Sequence, residues 1–377
     1  MIYFDHNATT PLLPEARQAW LEATQKFIGN PSGPHRVGAR ADAVLNEARQ
    51  KLAGFLGCDA LDIVWTSGAT ESNNTVLHHF ARTLGAKDAV WISAIEHPCV
   101  LEATRHYFPH RHRLIPVTHA GVVDLGWLRK EIAKRRPAMI AVMAANNETG
   151  VLQPWGEVLS LCREWEVPFF CDAAQWIGKL PVKGLGDCDF ISGCAHKFGG
   201  PNGVGFLKCP AKGRVRPLLI GGPQEEGRRA GTENVAGVIA MLAALEVRES
   251  SLARNEHASR NKVRKGFVKH LLKSLPGTEV LGVQQPCLWN TVSVLMPEAD
   301  SQARWVVKLD KLGFAVSTGS ACASGKEAPS HVLAAMGYSP VETGRVLRFS
   351  SGWETTEEEW RALAKGLTKV YEGIRQR

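Results

Sequence analysis

Asp62-Ile63-Val64-Trp65-Thr66-Ser67-Gly68-Ala69-Thr70-Glu71 sets a β-rich run directly before small and hydroxyl residues that suit the start of a helix. The same succession recurs outward along the chain. Ala89-Val90-Trp91-Ile92-Ser93 precedes Glu96-His97-Pro98, and Ala138-Met139-Ile140-Ala141-Val142-Met143 precedes Asn146-Asn147-Glu148-Thr149-Gly150. Val167-Pro168-Phe169-Phe170-Cys171 precedes Asp172-Ala173-Ala174-Gln175. Between about residues 60 and 210 this alternation with longer amphipathic stretches predicts an α/β fold with a mostly parallel sheet between helices. In such sheets ligands sit beyond the carboxyl ends of the strands, so the four polar loops are expected to share one pocket.

After about residue 232 the pattern changes to a long helical stretch, followed by short strands at Thr291–Leu295, Phe314–Thr318 and Val346–Ser350. A last helix carries Trp360, Leu363, Leu367, Val370, Tyr371 and Ile374 on one face. The expected division is a large domain over residues 16–254 and a smaller α+β domain built from 1–15 with 255–377.

With 377 residues and 44% hydrophobic content, the chain can bury a core of this size. No apolar run approaches the roughly 20 residues that span a bilayer, and the start, from Met1 to Pro11, turns polar within a few residues. A cytoplasmic location is expected. The nine cysteines are scattered without CxxC pairs, which points to reduced thiols. The formal charge of +8 is dispersed and no basic run interleaves with aromatics, so nucleic acid is not an expected partner. His106, His110 and His112 are interrupted by Pro109 and lack partners at ligand spacing; they read as an exposed turn, and no resident metal is expected.

Three segments carry chemistry. Thr66 to Ser72, between a strand and a helix start, would offer backbone N–H groups and the Thr70 hydroxyl to a phosphate; a simple Ser or Thr helix cap fits the segment equally well. Lys197 follows Asp189-Phe190-Ile191-Ser192 and precedes the glycine-rich 199–205, where a ligand could approach closely and form a Schiff base. A lone lysine is commonly a solvated group. This one has company in Asp172, suited to a protonated pyridine nitrogen, and Gln175, suited to a ring hydroxyl. Cys322 lies in Gly319-Ser320-Ala321-Cys322-Ala323-Ser324-Gly325, whose small polar residues favour a reactive thiol over a buried apolar one.

Taken together, these segments resemble the class V aminotransferase group, and specifically the NifS/IscS-like cysteine desulfurases, over almost the whole chain. The resemblance is carried by Tyr3 to Pro11, Gly29-Asn30-Pro31-Ser32, residues 66–74, Glu96-His97-Pro98, Asn146 to Gly150, Asp172 to Gln175, His196-Lys197, Arg228 to Asn234, Gly319 to Gly325 and Arg348-Phe349-Ser350. It implies fold type I of the pyridoxal-phosphate enzymes and a homodimer with sites at the subunit interface. By motif position, Lys197 would hold pyridoxal 5'-phosphate covalently, Asp172 would meet the pyridine nitrogen, and Gln175 and Asn147 would meet the ring oxygen side. His97 would stack on the ring and serve in proton transfer. Ala69, Thr70 and His196 would bind phosphate from one subunit and Thr232 from the other, while Arg348 with Asn30 would hold the substrate carboxylate.

The reaction so implied converts L-cysteine to L-alanine and leaves the sulfur as a persulfide on Cys322, for a sulfur-acceptor protein such as an iron–sulfur scaffold. A transient iron–sulfur contact at Cys322 stays open. Cys194, two before His196, stands where many relatives have serine, which exchanges a phosphate hydroxyl for a weak S–H donor. Asn202 and Gly33-Pro34 also depart from the usual pattern. Other enzymes on the same scaffold, a transaminase or a selenocysteine lyase, are the nearest alternatives, and a non-catalytic sulfur-relay partner is a distant one.

Overall fold

The structure is a computed structural model that describes residues 1–211, 215–298, 302–318 and 329–375. Cys322 and the rest of its glycine-rich segment lie outside the described residues. The strands are β1 (Ile2–Tyr3), β2 (Ile63–Thr66), β3 (Val90–Ser93), β4 (His112–Ile115), β5 (Met139–Ala141), β6 (Phe169–Asp172), β7 (Phe190–Cys194), β8 (Gly205–Lys208), β9 (Glu279–Val280), β10 (Thr291–Leu295), β11 (Phe314–Ala315) and β12 (Val346–Ser350).

A seven-stranded sheet has the order β2-β8-β7-β6-β5-β3-β4. Its pairs from β7 to β4 are parallel, and β8 alone runs the other way, antiparallel to both β7 and β2. Alternate residues of each strand enter opposite cores, as the two-residue period requires. Trp65, Trp91, Ile140, Phe169 and Ile191 face one; Val64, Val90, Met139, Phe170 and Phe190 face the other. A sheet buried on both faces explains why its strands read as continuous apolar runs.

A third core joins Phe4 to Phe267, Leu271, Val292, Trp305, Leu347, Phe349, Trp360, Leu363 and Leu367. Around it, β12-β10-β9 form an antiparallel sheet, and β1 pairs with β11 in parallel. The N-terminal strand is thus folded with the C-terminal third of the chain. From β1 the chain crosses back, and Thr10 N donates to the His196 carbonyl at 2.8 Å, which brings the start of the chain onto the lysine segment. The expected turn at residues 106–112 is shorter than its sequence pattern implies: helix Pro98–Tyr107 runs into it and β4 starts at His112, whose ring bonds the Phe108 carbonyl. Among the described residues no group of three His, Cys, Asp or Glu side chains could hold a metal, and no helix is long and apolar enough to cross a membrane.

Candidate active site

Beyond the carboxyl ends of β2, β3, β5, β6 and β7 lies a cavity of about 690 Å³. Ala69, Thr70, His97, Asn147, Asp172, Gln175, Cys194, His196, Lys197 and Arg348 all line it. All four polar loops that follow the strands contribute to this wall, which is where an open α/β sheet places its ligand. Asn30 and Thr232 are exposed and do not line the cavity of this chain. Asn30 is engaged in its own turn, with Oδ1 accepting from Ser32 N.

After β2, helix Ala69–Thr83 starts at Gly68, which has φ 150° and provides no side-chain cap. The Thr66 and Ser72 hydroxyls bond to each other and to the Gly68 backbone. Thr66 Oγ1 lies 2.9 Å from Ser72 Oγ, and Ser67 N donates to Glu71 Oε2 at 2.8 Å. No side chain caps the helix start, and the Ala69 N–H interacts with the Cys194 thiol at the cavity edge, while the helix dipole favours an anion there. Gly205 in β8 backs this turn so closely that a Cβ there would lie 2.5 Å from Gly68 Cα.

Asp172 closes β6 with its side chain fixed by two donors, Asn73 Nδ2 to Oδ2 at 2.7 Å and Ala174 N to Oδ1 at 3.0 Å. Asn73 also donates to Cys99 Sγ at 3.1 Å. His97 caps helix Pro98–Tyr107, its Nδ1 accepting from Cys99 N at 3.2 Å. That assigns the proton of the neutral ring to Nε2. Burial lowers the His97 pKa, with Asp172 acting in the opposite direction and Lys197 and His331 reinforcing the fall.

Lys197 ends a 3₁₀ turn after β7, and its Nζ donates to the carbonyls of Asn7 and Ala8, each at 2.7 Å. Its neighbour His196 is held by burial at a pKa of about 4. Cys194, buried beneath it, is pushed up to about 11 by burial, so the thiol keeps its proton. Arg348, on β12, spans the two sheets: Nη1 donates to Asn147 O at 2.9 Å and Nη2 to Asp5 Oδ1 at 2.6 Å.

Several residues of the site escape sequence reading. Asn7, Asn73, Cys99, Glu148, Ser330 and His331 sit inside segments that carry the resemblance or adjoin it, but their partners are remote in sequence. Glu148 accepts from Ser330 Oγ, and His331 Nε2 meets the Glu96 carbonyl at 2.8 Å, so the residues just beyond 328 form part of the cavity wall. Glu96 itself is buried and raised to about 8, chiefly by desolvation.

Residues 2–363 match the family described as aminotransferase class-V, and the chain belongs to that family. Within it the similarity runs to proteins named cysteine desulfurase. One from Klebsiella pneumoniae is 37% identical over 378 residues, covering 99% of this chain and 94% of that protein. Cysteine desulfurase IscS of Dictyoglomus turgidum is 35% identical over 382 residues, covering 99% and 95%. Among solved structures, a NifS-like protein superposes with a TM-score of 0.89 at 31% identity, covering 99% of this chain and 100% of that one. SspA in complex with cysteine superposes with a TM-score of 0.80 at 26% identity, covering 94% and 100%.

Proposed function

We propose that the chain is a pyridoxal-phosphate-dependent cysteine desulfurase that converts L-cysteine to L-alanine and leaves the sulfur as a persulfide on Cys322. The observation that carries this reading is the convergence of Lys197, Asp172 and His97 on one cavity beside an uncapped helix N-terminus.

The residues fit the cofactor by their donor chemistry. Helix Ala69–Thr83 presents its N-terminal turn and the Thr70 residue to a phosphate, with His196 beside them, and a second subunit would supply Thr232. Asp172, oriented by Asn73 and Ala174, suits a protonated ring nitrogen, while Gln175 and Asn147 suit the ring oxygen side. When bound, pyridoxal phosphate supplies an aldehyde for the substrate amine and a ring that withdraws electrons from the α-carbon. The chain's own groups do the rest. Arg348 binds the substrate carboxylate with a planar fork that Asp5 holds in place. Lys197, fixed by the Asn7 and Ala8 carbonyls, removes and returns the α-proton. His97, kept neutral by burial, relays a proton at the site. The Cys322 thiolate takes the substrate sulfur: an S–S bond forms as the C–S bond breaks, and the carbon left behind is protonated to give alanine.

A homodimer accounts for Thr232 and for the exposed apolar residues Leu21, Ile28 and Ile220. The same reading takes 16–254 as the cofactor-binding domain, places the enzyme in the cytoplasm and passes the persulfide to an acceptor protein such as an iron–sulfur scaffold. The first test is colour. Reconstitution with pyridoxal 5'-phosphate is expected to give a visible absorption band in the wild type that Lys197→Ala does not develop; a wild type that stays colourless overturns the reading.

A further inference from the structure

We infer that Lys179, which does not line the cavity, is a positioning residue that sets the Lys197 amine and the Gln175 amide through Asn7. The inference rests on the reading of Lys197 and Gln175 as cofactor ligands.

Lysine is almost never fully buried unless it is paired. Lys179 is only 3% exposed, and its Nζ donates to two neutral oxygens, Asn7 Oδ1 at 3.0 Å and Gln175 Oε1 at 2.5 Å. Desolvation holds its pKa well below the usual lysine value, and the nearby Lys197 amine adds to the fall. So costly a placement calls for a consequence, and the wiring of Asn7 supplies one.

Asn7 uses its whole polar inventory. Its Oδ1 accepts from Lys179 and from Asn290 Nδ2 at 3.1 Å. Its Nδ2 donates to Thr291 Oγ1 at 2.9 Å and to Asn147 O at 3.2 Å, and its N donates to Ser350 Oγ at 3.0 Å. The carbonyl is then left for Lys197 Nζ at 2.7 Å and Gln175 Nε2 at 2.9 Å. Asn290 Nδ2 also donates to Ser351 O at 3.0 Å and so stays a donor, and flipping the Asn7 amide would set its N–H against that N–H. The same logic fixes Gln175. Its Oε1 takes the Lys179 proton while its NH₂ group turns to the Asn7 carbonyl, which leaves Gln175 a donor on the side that borders the cavity. The Asn147 carbonyl is shared between Asn7 and Arg348, so the hub reaches the guanidinium as well.

A role confined to packing would look different. The turn at Gly178 and Lys179 is already anchored through its backbone: Trp353 Nε1 donates to Gly178 O at 2.9 Å and Trp289 Nε1 to Lys179 O at 2.8 Å. Those bonds survive a change of the Lys179 side chain, which separates docking of the turn from orientation of Asn7 and Gln175.

The test titrates the apo forms of wild type, Lys179→Met, Gln175→Ala and the double variant with pyridoxal 5'-phosphate, recording Kd and the visible absorption maximum. Lys179→Met is expected to raise Kd roughly tenfold, the scale of one or two lost hydrogen bonds. It should also move the maximum in the same direction as Gln175→Ala, and the double variant should bind no more weakly than Gln175→Ala alone, because both changes remove one arrangement. Wild-type Kd and spectrum in Lys179→Met, even with a lowered thermal midpoint, would assign the lysine to packing and overturn the inference. Single effects that multiply in the double variant would overturn it too. If Lys179→Met does not fold, Lys179→Gln, which keeps a donor, is expected to raise Kd a few-fold; an unchanged Kd there has the same meaning. A wild type that takes up no cofactor removes the functional reading and this inference together, whereas a coloured wild type with an indifferent Lys179 removes only the inference.

Discussion

Asn73 donates from Nδ2 to Asp172 Oδ2 at 2.7 Å, joining the helix after β2 to the end of β6 across 99 positions of sequence. Both residues are buried, so the carboxylate depends on this donor for its orientation. Asn73→Ala should leave one Asp172 oxygen without its protein donor and lower stability by about 1–3 kcal/mol. Urea denaturation and a pyridoxal 5'-phosphate titration should show both effects; unchanged values in both would mean that Asp172 is held by other means.

The turn at Gly68 depends on a close backbone approach. Gly205→Val is expected to push β8 away from Gly68, since even a Cβ would sit 2.5 Å from Gly68 Cα with backbone on every side. The Kd for pyridoxal 5'-phosphate should rise tenfold or more, about 1.4 kcal/mol, whereas pyridoxal without phosphate should lose less. Equal losses for both ligands would place the phosphate elsewhere.

Acid stability gives an independent check. Burial lowers the His6 pKa from 6.5 to about 4, so the folded state excludes a proton that the unfolded chain binds. This contribution is intact above about pH 6.5 and is lost progressively as pH falls towards 4, with a ceiling on the order of 3 kcal/mol. Urea midpoints measured across that window should fall for the wild type and fall less steeply for His6→Asn. Parallel slopes would show that His6 does not set the acid limb.

Arg348 is 1% exposed and holds Asp5 while lining the cavity. Arg348→Lys keeps the charge but loses the planar fork. The expected result is a KM for L-cysteine raised about tenfold or more, the scale of one charge-assisted hydrogen bond, with a smaller change in kcat. A normal KM would mean that another cation binds the carboxylate.

Local pattern reached different parts of the molecule unequally. Thr291–Leu295 and Val346–Ser350 coincide with β10 and β12, whose apolar runs match a buried sheet. The expected strand Ala138–Met143 shortens to Met139–Ala141, and Met143 N is instead taken by Glu96 Oε1. Phe314–Thr318 shortens to Phe314–Ala315, after which Ser317 leaves β1 and bridges to Arg348. β8 escaped notice because Gly205 opens it from a glycine-rich segment. For the candidate site, Lys197, Asp172 and His97 stand out in the sequence because each lies at or just after the end of a strand in a recognisable motif. Asn7 and Lys179 do not, because an amide hub is defined by who donates to whom across 172 positions, and no local period encodes that.

Purified protein, reconstituted with pyridoxal 5'-phosphate, should be given L-cysteine and a thiol reductant, and sulfide and alanine should be measured for wild type, Cys322→Ala and Lys197→Ala. Equimolar sulfide and alanine in the wild type, lost in both variants, is the predicted result. Turnover that survives Cys322→Ala would contradict it, assigning the cavity to direct elimination or transamination and leaving Cys322 without a part in the chemistry.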